Sequence, residues 1–120
     1  MNEDYVSFEV AKLLKEKGFD WPCQAFYNAN GILAASPVHT VNDELEDSDI
    51  ACPTLYMAQK WLRSKGYHVE VVYMANDLWR YDILTIPRHD CVWISETKPS
   101  DYMSYEYALN AGILEALKLI

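Results

Sequence analysis

The sequence predicts an α+β fold, in which an antiparallel sheet carries helices on one face. Three segments have apolar residues at helical spacing, in the ranges 7–17, 53–65 and 105–120. Between them lie short runs of alternating apolar and polar residues bounded by turn-forming residues, the pattern of half-buried strands. The connections are too short for parallel crossovers, so the strands are expected to pair antiparallel. The predicted order is helix, two strands, an acidic loop, helix, three strands and helix, in a single domain of 120 residues.

Residues at both ends of the first predicted helix indicate where it begins and ends. Ser7 is expected to cap its start, because a serine oxygen can accept a hydrogen bond from an N–H group of the first turn. Gly18 is expected to end it in a left-handed conformation, with Phe19 folding back onto Leu14. The predicted apolar stripe consists of Val6, Val10, Leu13 and Leu14.

The second predicted helix has the same organisation, with Pro53 in its first turn and Gly66 at its end. Its apolar stripe consists of Leu55, Ala58, Trp61 and Leu62. The segments 12–19 and 60–67 agree in residue class at seven of eight positions, at an offset of 48. A strand-forming run follows each segment, so a duplicated helix–hairpin unit is one hypothesis. The alternative is that any amphipathic helix ended by glycine has this appearance.

Turn signals divide the strand-forming runs. Asn30-Gly31 lies between a run that ends at Tyr27 and an apolar run, which predicts the first hairpin. The second hairpin is expected from the alternating runs 67–73 and 79–86, and Pro87 is expected to end it. A third strand is predicted at 91–95, followed by a turn at 98–101.

The last helix has the most regular pattern. Gly112 lies in its apolar stripe and is expected where the helix backbone presses against the sheet. The other members of the stripe are Tyr105, Ala108, Leu109, Ile113, Ala116, Leu117 and Ile120. Tyr107 and Leu114 lie on its second face and need another partner. The first helix could cover them within the chain, or a second copy could cover them across a two-fold axis, and the apolar composition favours the homodimer.

Composition narrows the classes of function. Apolar residues make up 51% of the chain, enough for a core without disulfides or metals. The 18 acidic and 10 basic residues give a formal net charge of −8. That charge argues against a nucleic-acid partner, because a grip on phosphates requires a basic patch. No apolar run is long enough to span a membrane, and the first residues lack the basic start of a secretory signal, so a cytoplasmic protein is expected.

The acidic residues are unevenly distributed. Five of them lie between Asp43 and Asp49, so a mobile, solvated loop is predicted at 42–49. The stretch has no glycine and no closing glutamate at the spacing of a calcium loop. The remaining hypothesis is an acidic surface offered to a basic partner.

No residue set identifies a catalytic site. The three cysteines have no CxxC or CxH spacing, so neither a zinc site nor any other metal site is predicted, and buried thiols are expected. Cys52 and His89 are weak catalytic candidates, because Cys52 precedes a helix and His89 lies in the polar segment 88–91. No cofactor is expected, since the four glycines are assigned to helix ends, a turn and a packing position.

Aromatic residues are the better candidates for binding. Tyrosine and tryptophan are favoured at the centres of protein interfaces. The alternative is that these rings complete the core, with their polar tips in water. The predicted binding residues are Tyr102, Tyr105, Tyr107, Trp79 and Trp93.

Three blocks of the sequence, at 7–19, 53–63 and 105–120, resemble small uncharacterised proteins of gut Bacteroidetes, many of them carried by phages or other mobile elements. The blocks cover about 40 of the 120 residues and keep their order along the chain. The resemblance implies a bacterial, phage-related origin. It implies no activity, cofactor or catalytic residue, because the family has none assigned.

The sequence therefore predicts a non-catalytic protein-interaction module, with a host or virion protein as its partner. The alternative is a small enzyme that depends on cysteine or histidine. An acidic mimic of nucleic acid is a third hypothesis, but it needs negative charge spread over one face, and here five charges lie in one segment.

Overall fold

The computed structural model describes residues 4–94 and 102–120, without the side chains of Pro37, Trp93 and Ile94. The predicted turn at 98–101 therefore lies outside the described residues. The elements in chain order are α1 (Phe8–Glu16), β1 (Cys23–Tyr27), β2 (Leu33–Thr40), the 3₁₀ turn η1 (Asn42–Glu44), β3 (Ile50–Ala51), α2 (Leu55–Ser64), β4 (Tyr67–Ala75), β5 (Leu78–Thr85), β6 (Cys91–Ile94) and α3 (Tyr105–Leu117). These helices and antiparallel strands confirm the predicted α+β class.

The chain divides into two compact units, Met1–Ala58 and Gln59–Ile120, and α2 begins in the first and ends in the second. Each unit has its own antiparallel sheet of three strands, whereas the sequence suggested one sheet. In the described ranges, no helix is long and apolar enough to cross a membrane.

Helix α1 has the predicted caps at both ends. The Ser7 hydroxyl accepts a hydrogen bond from the Val10 N–H group at 3.3 Å. At the other end Gly18 has φ of 89°, and the Phe19 N–H group donates to the Leu14 carbonyl at 3.0 Å. This is the Schellman arrangement, and it returns Phe19 to the core, where it is buried.

The first unit orders its sheet β2-β1-β3. The predicted hairpin is present, and its loop consists of residues 28–32. The Asn28 side chain holds this loop by accepting from the N–H groups of Asn30 at 2.9 Å and Ile32 at 3.1 Å. Strand β3 was not predicted, because two residues carry no periodic pattern.

The acidic segment 42–49 is tied to the first unit at both ends. The Asn42 side chain is buried, donates to the Phe19 carbonyl at 2.9 Å and accepts from the Ala51 N–H group at 2.9 Å. Lys15 donates to the backbone carbonyls of Asp47 at 3.0 Å and Asp49 at 3.1 Å. The mobility predicted for the segment 42–49 stays a prediction.

The second unit orders its sheet β4-β5-β6, and α3 packs on β4 and β5. A Cβ atom at Gly112 would lie 2.5 Å from a methyl carbon of Val69 and 2.9 Å from a ring carbon of Tyr81. The predicted close approach of α3 to the sheet is therefore confirmed. The two ends of the predicted stripe are less buried than its centre. Tyr105 is half-buried, and Ile120 lies beyond the helix and is exposed.

Helix α2 begins differently from the prediction. The Thr54 hydroxyl accepts from the Met57 N–H group at 3.2 Å and so caps the helix. Pro53 therefore precedes the cap, and its carbonyl accepts from the Val6 N–H group at 3.2 Å. Gly66, just after the C-terminal end of α2, has φ of 94°, as predicted.

Both units contain a helix followed by an antiparallel hairpin, in keeping with the segments 12–19 and 60–67. Their third strands differ. In the first unit β3 pairs with β1, the first strand of the hairpin, whereas in the second β6 pairs with β5, the second strand. A duplication would therefore account for the helix and hairpin alone, and it stays a hypothesis.

Candidate functional site

Three aromatic side chains lie in a row on the second unit. Trp79 is central, with its ring centroid 5.0 Å from that of Tyr73 and 5.5 Å from that of Tyr105. Both contacts are edge-to-face, at interplanar angles of 67° and 82°. We call Tyr73, Trp79 and Tyr105 the aromatic surface. Tyr73 is 52% exposed and the other two are half-buried, so the rings are held in place and still reach solvent.

The β4–β5 turn creates this row. Asn76 and Asp77 have φ of 54° and 61°, the left-handed conformations that a two-residue hairpin turn requires. The turn fixes the register in which Tyr73 lies opposite Trp79. A one-residue bulge at Met74 adjoins this pair and leaves the Met74 side chain exposed.

Tyr102 contacts strand β5 next to the aromatic surface. Its carbonyl accepts from the Trp79 N–H group at 3.0 Å, and its ring packs edge-to-face on Tyr81 at 5.7 Å. Tyr102 therefore orders the backbone that carries Trp79.

The predicted binding residues thus have different positions. The rings of Trp79 and Tyr105 contact each other, and the Tyr102 carbonyl accepts a hydrogen bond from the Trp79 N–H group. Tyr107 lies on an exposed part of α3, at 51% exposure, and is not one of the three rings that form the row. Trp93 lies on β6, and its side chain is outside the described residues.

Tyr73 was missed as a binding residue. Its signal was present in the sequence, because the runs on either side of Asn76-Asp77 place Tyr73 and Trp79 at matching positions of a hairpin.

A cavity of about 260 Å³ lies in the first unit. Two thiols, a thioether and an imidazole belong to its lining, which consists of Tyr5, Pro22, Cys23, Gln24, His39, Cys52, Pro53, Thr54 and Met57. In the part of the chain that the structure describes, no group of three or more His, Cys, Asp or Glu side chains is arranged to hold a metal ion. His39 was not singled out from the sequence, since no partner residue lies near it in the chain.

The Cys52 thiol has an environment opposed to nucleophilic catalysis. It is fully buried and lies 3.6 Å from the Val6 carbonyl, to which it donates. Burial raises the pKa of Cys52 to about 12, and burial likewise raises the pKa of Cys23 to about 12. A nucleophilic cysteine needs a lowered pKa, because the thiolate is the reacting species. Cys91 is exposed, against the expectation that the thiols are buried.

His89 lies in an exposed turn between β5 and β6. Its φ is 62°, and its N–H group donates to the Thr85 carbonyl at 2.8 Å. Next to it, Arg88 and Asp90 form an exposed ion pair at 3.4 Å. These contacts are those of a polar turn, and none of them orients the His89 imidazole.

Comparison with known proteins adds no relative: no protein-family model, curated protein or solved structure matches the chain.

Proposed function

We propose that this chain is a non-catalytic protein-interaction module that binds its partner through the aromatic surface. The supporting observation is the row of edge-to-face contacts that holds Tyr73, Trp79 and Tyr105 while Tyr73 stays 52% exposed. Rings fixed in advance lose little conformational entropy on binding, and tyrosine and tryptophan dominate the energetics of many interfaces.

The partner that we propose is a protein of a bacterial host or of a virion, met in the cytoplasm. The resemblance of the three helical blocks to phage-borne proteins of gut Bacteroidetes supports this class of partner. The odd number of cysteines, with no disulfide among them, supports the compartment.

Site-specific photocrosslinking tests the surface. A benzophenone amino acid at position 74, next to Tyr73, should crosslink a partner protein in a Bacteroidetes lysate. The matched control carries the same group at position 56 of α2, where Tyr56 is similarly exposed. Tyr73→Ala and Tyr105→Ala should each weaken the crosslink from position 74. Equal yields of one product from both positions, or a product unaffected by both substitutions, would contradict the proposed surface.

The alternative of a cysteine- or histidine-dependent enzyme has a separate test. Iodoacetamide should alkylate Cys91 in the folded protein, whereas Cys23 and Cys52 should react only after unfolding, because burial raises the pKa of both thiols to about 12. Mass spectrometry of the labelled peptides distinguishes the three positions. Rapid alkylation of Cys52 near pH 6 in the folded protein would favour the enzyme over the interaction module.

A further inference from the structure

Strand β4 lies at an edge of the second unit's sheet, and its hydrogen-bond pattern can be deduced. The Gly66 carbonyl accepts from the Ile86 N–H group at 2.9 Å, so even-numbered residues at the start of β4 bond to β5. Odd-numbered residues then direct their N–H and C=O groups away from β5. The Val69 carbonyl shows this, because it accepts from the Gln59 side chain at 2.7 Å.

Gln59 covers the edge at Val69 only. The next two outward-directed residues are Val71 and Tyr73, and both lie before the bulge at Met74. Among the described strands, β4 pairs with β5 alone. Proteins usually protect such an edge with lysine, proline or a covering element, but the segment 71–74 reads Val-Val-Tyr-Met. The outward-directed backbone groups of Val71 and Tyr73 can therefore form hydrogen bonds with another strand.

We propose that a second copy of this chain pairs with this edge, β4 against β4, around a two-fold axis at Val72. In this register Val71 of each copy lies opposite Tyr73 of the other, and their outward groups can form four backbone hydrogen bonds. Glu70 lies opposite Met74, so like charges do not meet. A register centred on Val71 would need the Val69 carbonyl, which Gln59 occupies. A register centred on Tyr73 would need Ala75, which faces β5 in the closing pair of the hairpin.

The charge distribution favours a second copy over a basic partner at this edge. Residues 59–120 hold eight acidic and seven basic side chains, a net charge of −1, whereas residues 1–58 hold ten and three. Two copies can therefore approach through their second units with little repulsion, while a basic partner would be drawn to the first unit.

The position of α3 also fits the two-fold axis. The helix packs on both β4 and β5, so its axis lies over the space between them. Because neighbouring strands are about 4.8 Å apart, pairing of the β4 strands would place the two α3 axes roughly 10 Å apart, the separation of packed helices. The dimer would have a six-stranded sheet with both α3 helices on one face. The dimer uses the backbone groups of Tyr73, whereas the aromatic surface uses its ring.

The test substitutes Val72, because Val72 of one copy would lie opposite Val72 of the other at the two-fold axis. Val72 is half-buried and lies opposite Arg80 on β5. Asp82, on the same face of β5 as Arg80, forms an ion pair with Arg80 at 3.3 Å. Val72→Lys or Val72→Glu places two like charges side by side, and each should abolish the dimer. A mixture of the two variants should restore it, since lysine then meets glutamate. Analytical ultracentrifugation measures the mass, which for the wild type at high concentration should be twice 13.9 kDa.

Val92→Lys is the matched control, because Val92 is an exposed valine on β6, the opposite edge of the same sheet. This variant should remain dimeric. Circular dichroism checks folding, and if Val72→Lys fails to fold beside Arg80, Val72→Glu decides alone. A monomeric wild type, a dimeric Val72→Glu variant, or a dimer lost only in Leu114→Lys on α3 would overturn the proposal. So would a monomer that binds another protein's strand at β4.

Discussion

Gly112 has no side chain because the helix that carries it lies directly on the sheet. A Cβ atom there would be 2.5 Å from Val69 and 2.9 Å from Tyr81, which is closer than packed carbon atoms approach. We expect Gly112→Ala to destabilise the protein by about 1–2 kcal/mol, because overpacking outweighs the gain in helix propensity. Urea unfolding measures the loss.

Gly18→Ala is the comparison that separates crowding from backbone strain. Apart from its two neighbours in the chain, no described residue has an atom within 4 Å of a Cβ atom at this position, but φ is 89°. Its cost should be about 1 kcal/mol and arise from the left-handed conformation alone. Adding a larger side chain, Gly112→Val against Gly18→Val, should widen the difference. A Gly112→Ala variant as stable as the wild type would contradict the close approach.

His68 gives the second unit a pH dependence. Burial lowers the pKa of His68, and the positive charge of Arg63 lowers it further, while Glu70 acts in the opposite direction. Among the described residues, its Nδ1 atom is buried without a hydrogen-bond partner. The unfolded state, with a histidine pKa of 6.5, therefore binds a proton more readily than the folded state. Stability should fall as the pH drops below about 6.5.

Thermal unfolding between pH 8 and pH 5 tests this sign. His68→Gln should flatten the acid limb of the melting-temperature profile, because glutamine has no proton to gain. His39→Gln is the control, since His39 is exposed on β2. An unchanged profile in the His68 variant would show that other groups cause the acid loss.

Asn42 is the link between η1 and its neighbours in the first unit. One side chain satisfies a buried carbonyl of Phe19 and a buried N–H group of Ala51, both at 2.9 Å. Because Asn42→Ala removes the hydrogen bonds to both groups, we expect a loss of about 2 kcal/mol or more. Asp43→Ala, an exposed neighbour in the same turn, should stay within about 0.5 kcal/mol of the wild type. Equal denaturation midpoints for the two variants would contradict the anchoring.

The same elements show how far the sequence could predict the fold. Helix α1 was predictable to within a residue, because Ser7, Gly18 and Phe19 act through neighbours in the chain. Strands β4 and β5 were predictable from their alternation. Strand β3 was not, since two residues have no period, and the role of Asn42 was not, because its partners lie far from it in sequence.

The candidate site was predictable in part for the same reason. Trp79 and Tyr105 were chosen from residue type, and their contact depends on α3 packing on the sheet, which no local pattern specifies. Tyr73 could have been found from the hairpin register. The burial of Cys52 was expected from its residue type, but its hydrogen bond to the Val6 carbonyl was not, because Val6 lies far from it in sequence.

At the level of the whole chain, charge opposes folding. The net charge is −8, and the first 58 residues hold ten acidic and three basic side chains. Among the described residues, the ion pairs Arg80–Asp82, Arg88–Asp90 and Lys118–Glu115 all lie in the second unit, so these pairs do not offset repulsion in the first unit. Repulsion among the carboxylates of the segment 43–49 is therefore the larger electrostatic effect in the first unit.

Salt should consequently stabilise this protein. Raising the ionic strength shortens the screening length from about 30 Å at 0.01 M to about 10 Å at 0.1 M, which weakens repulsion between exposed carboxylates. The melting temperature should rise across this range. A variant with Glu44→Gln, Glu46→Gln and Asp47→Asn should melt higher at low salt and respond less, because three exposed charges are removed while the backbone carbonyls of Asp47 and Asp49 still accept from Lys15. A melting temperature that falls with salt would mean that attractive pairs outweigh the clustered carboxylates.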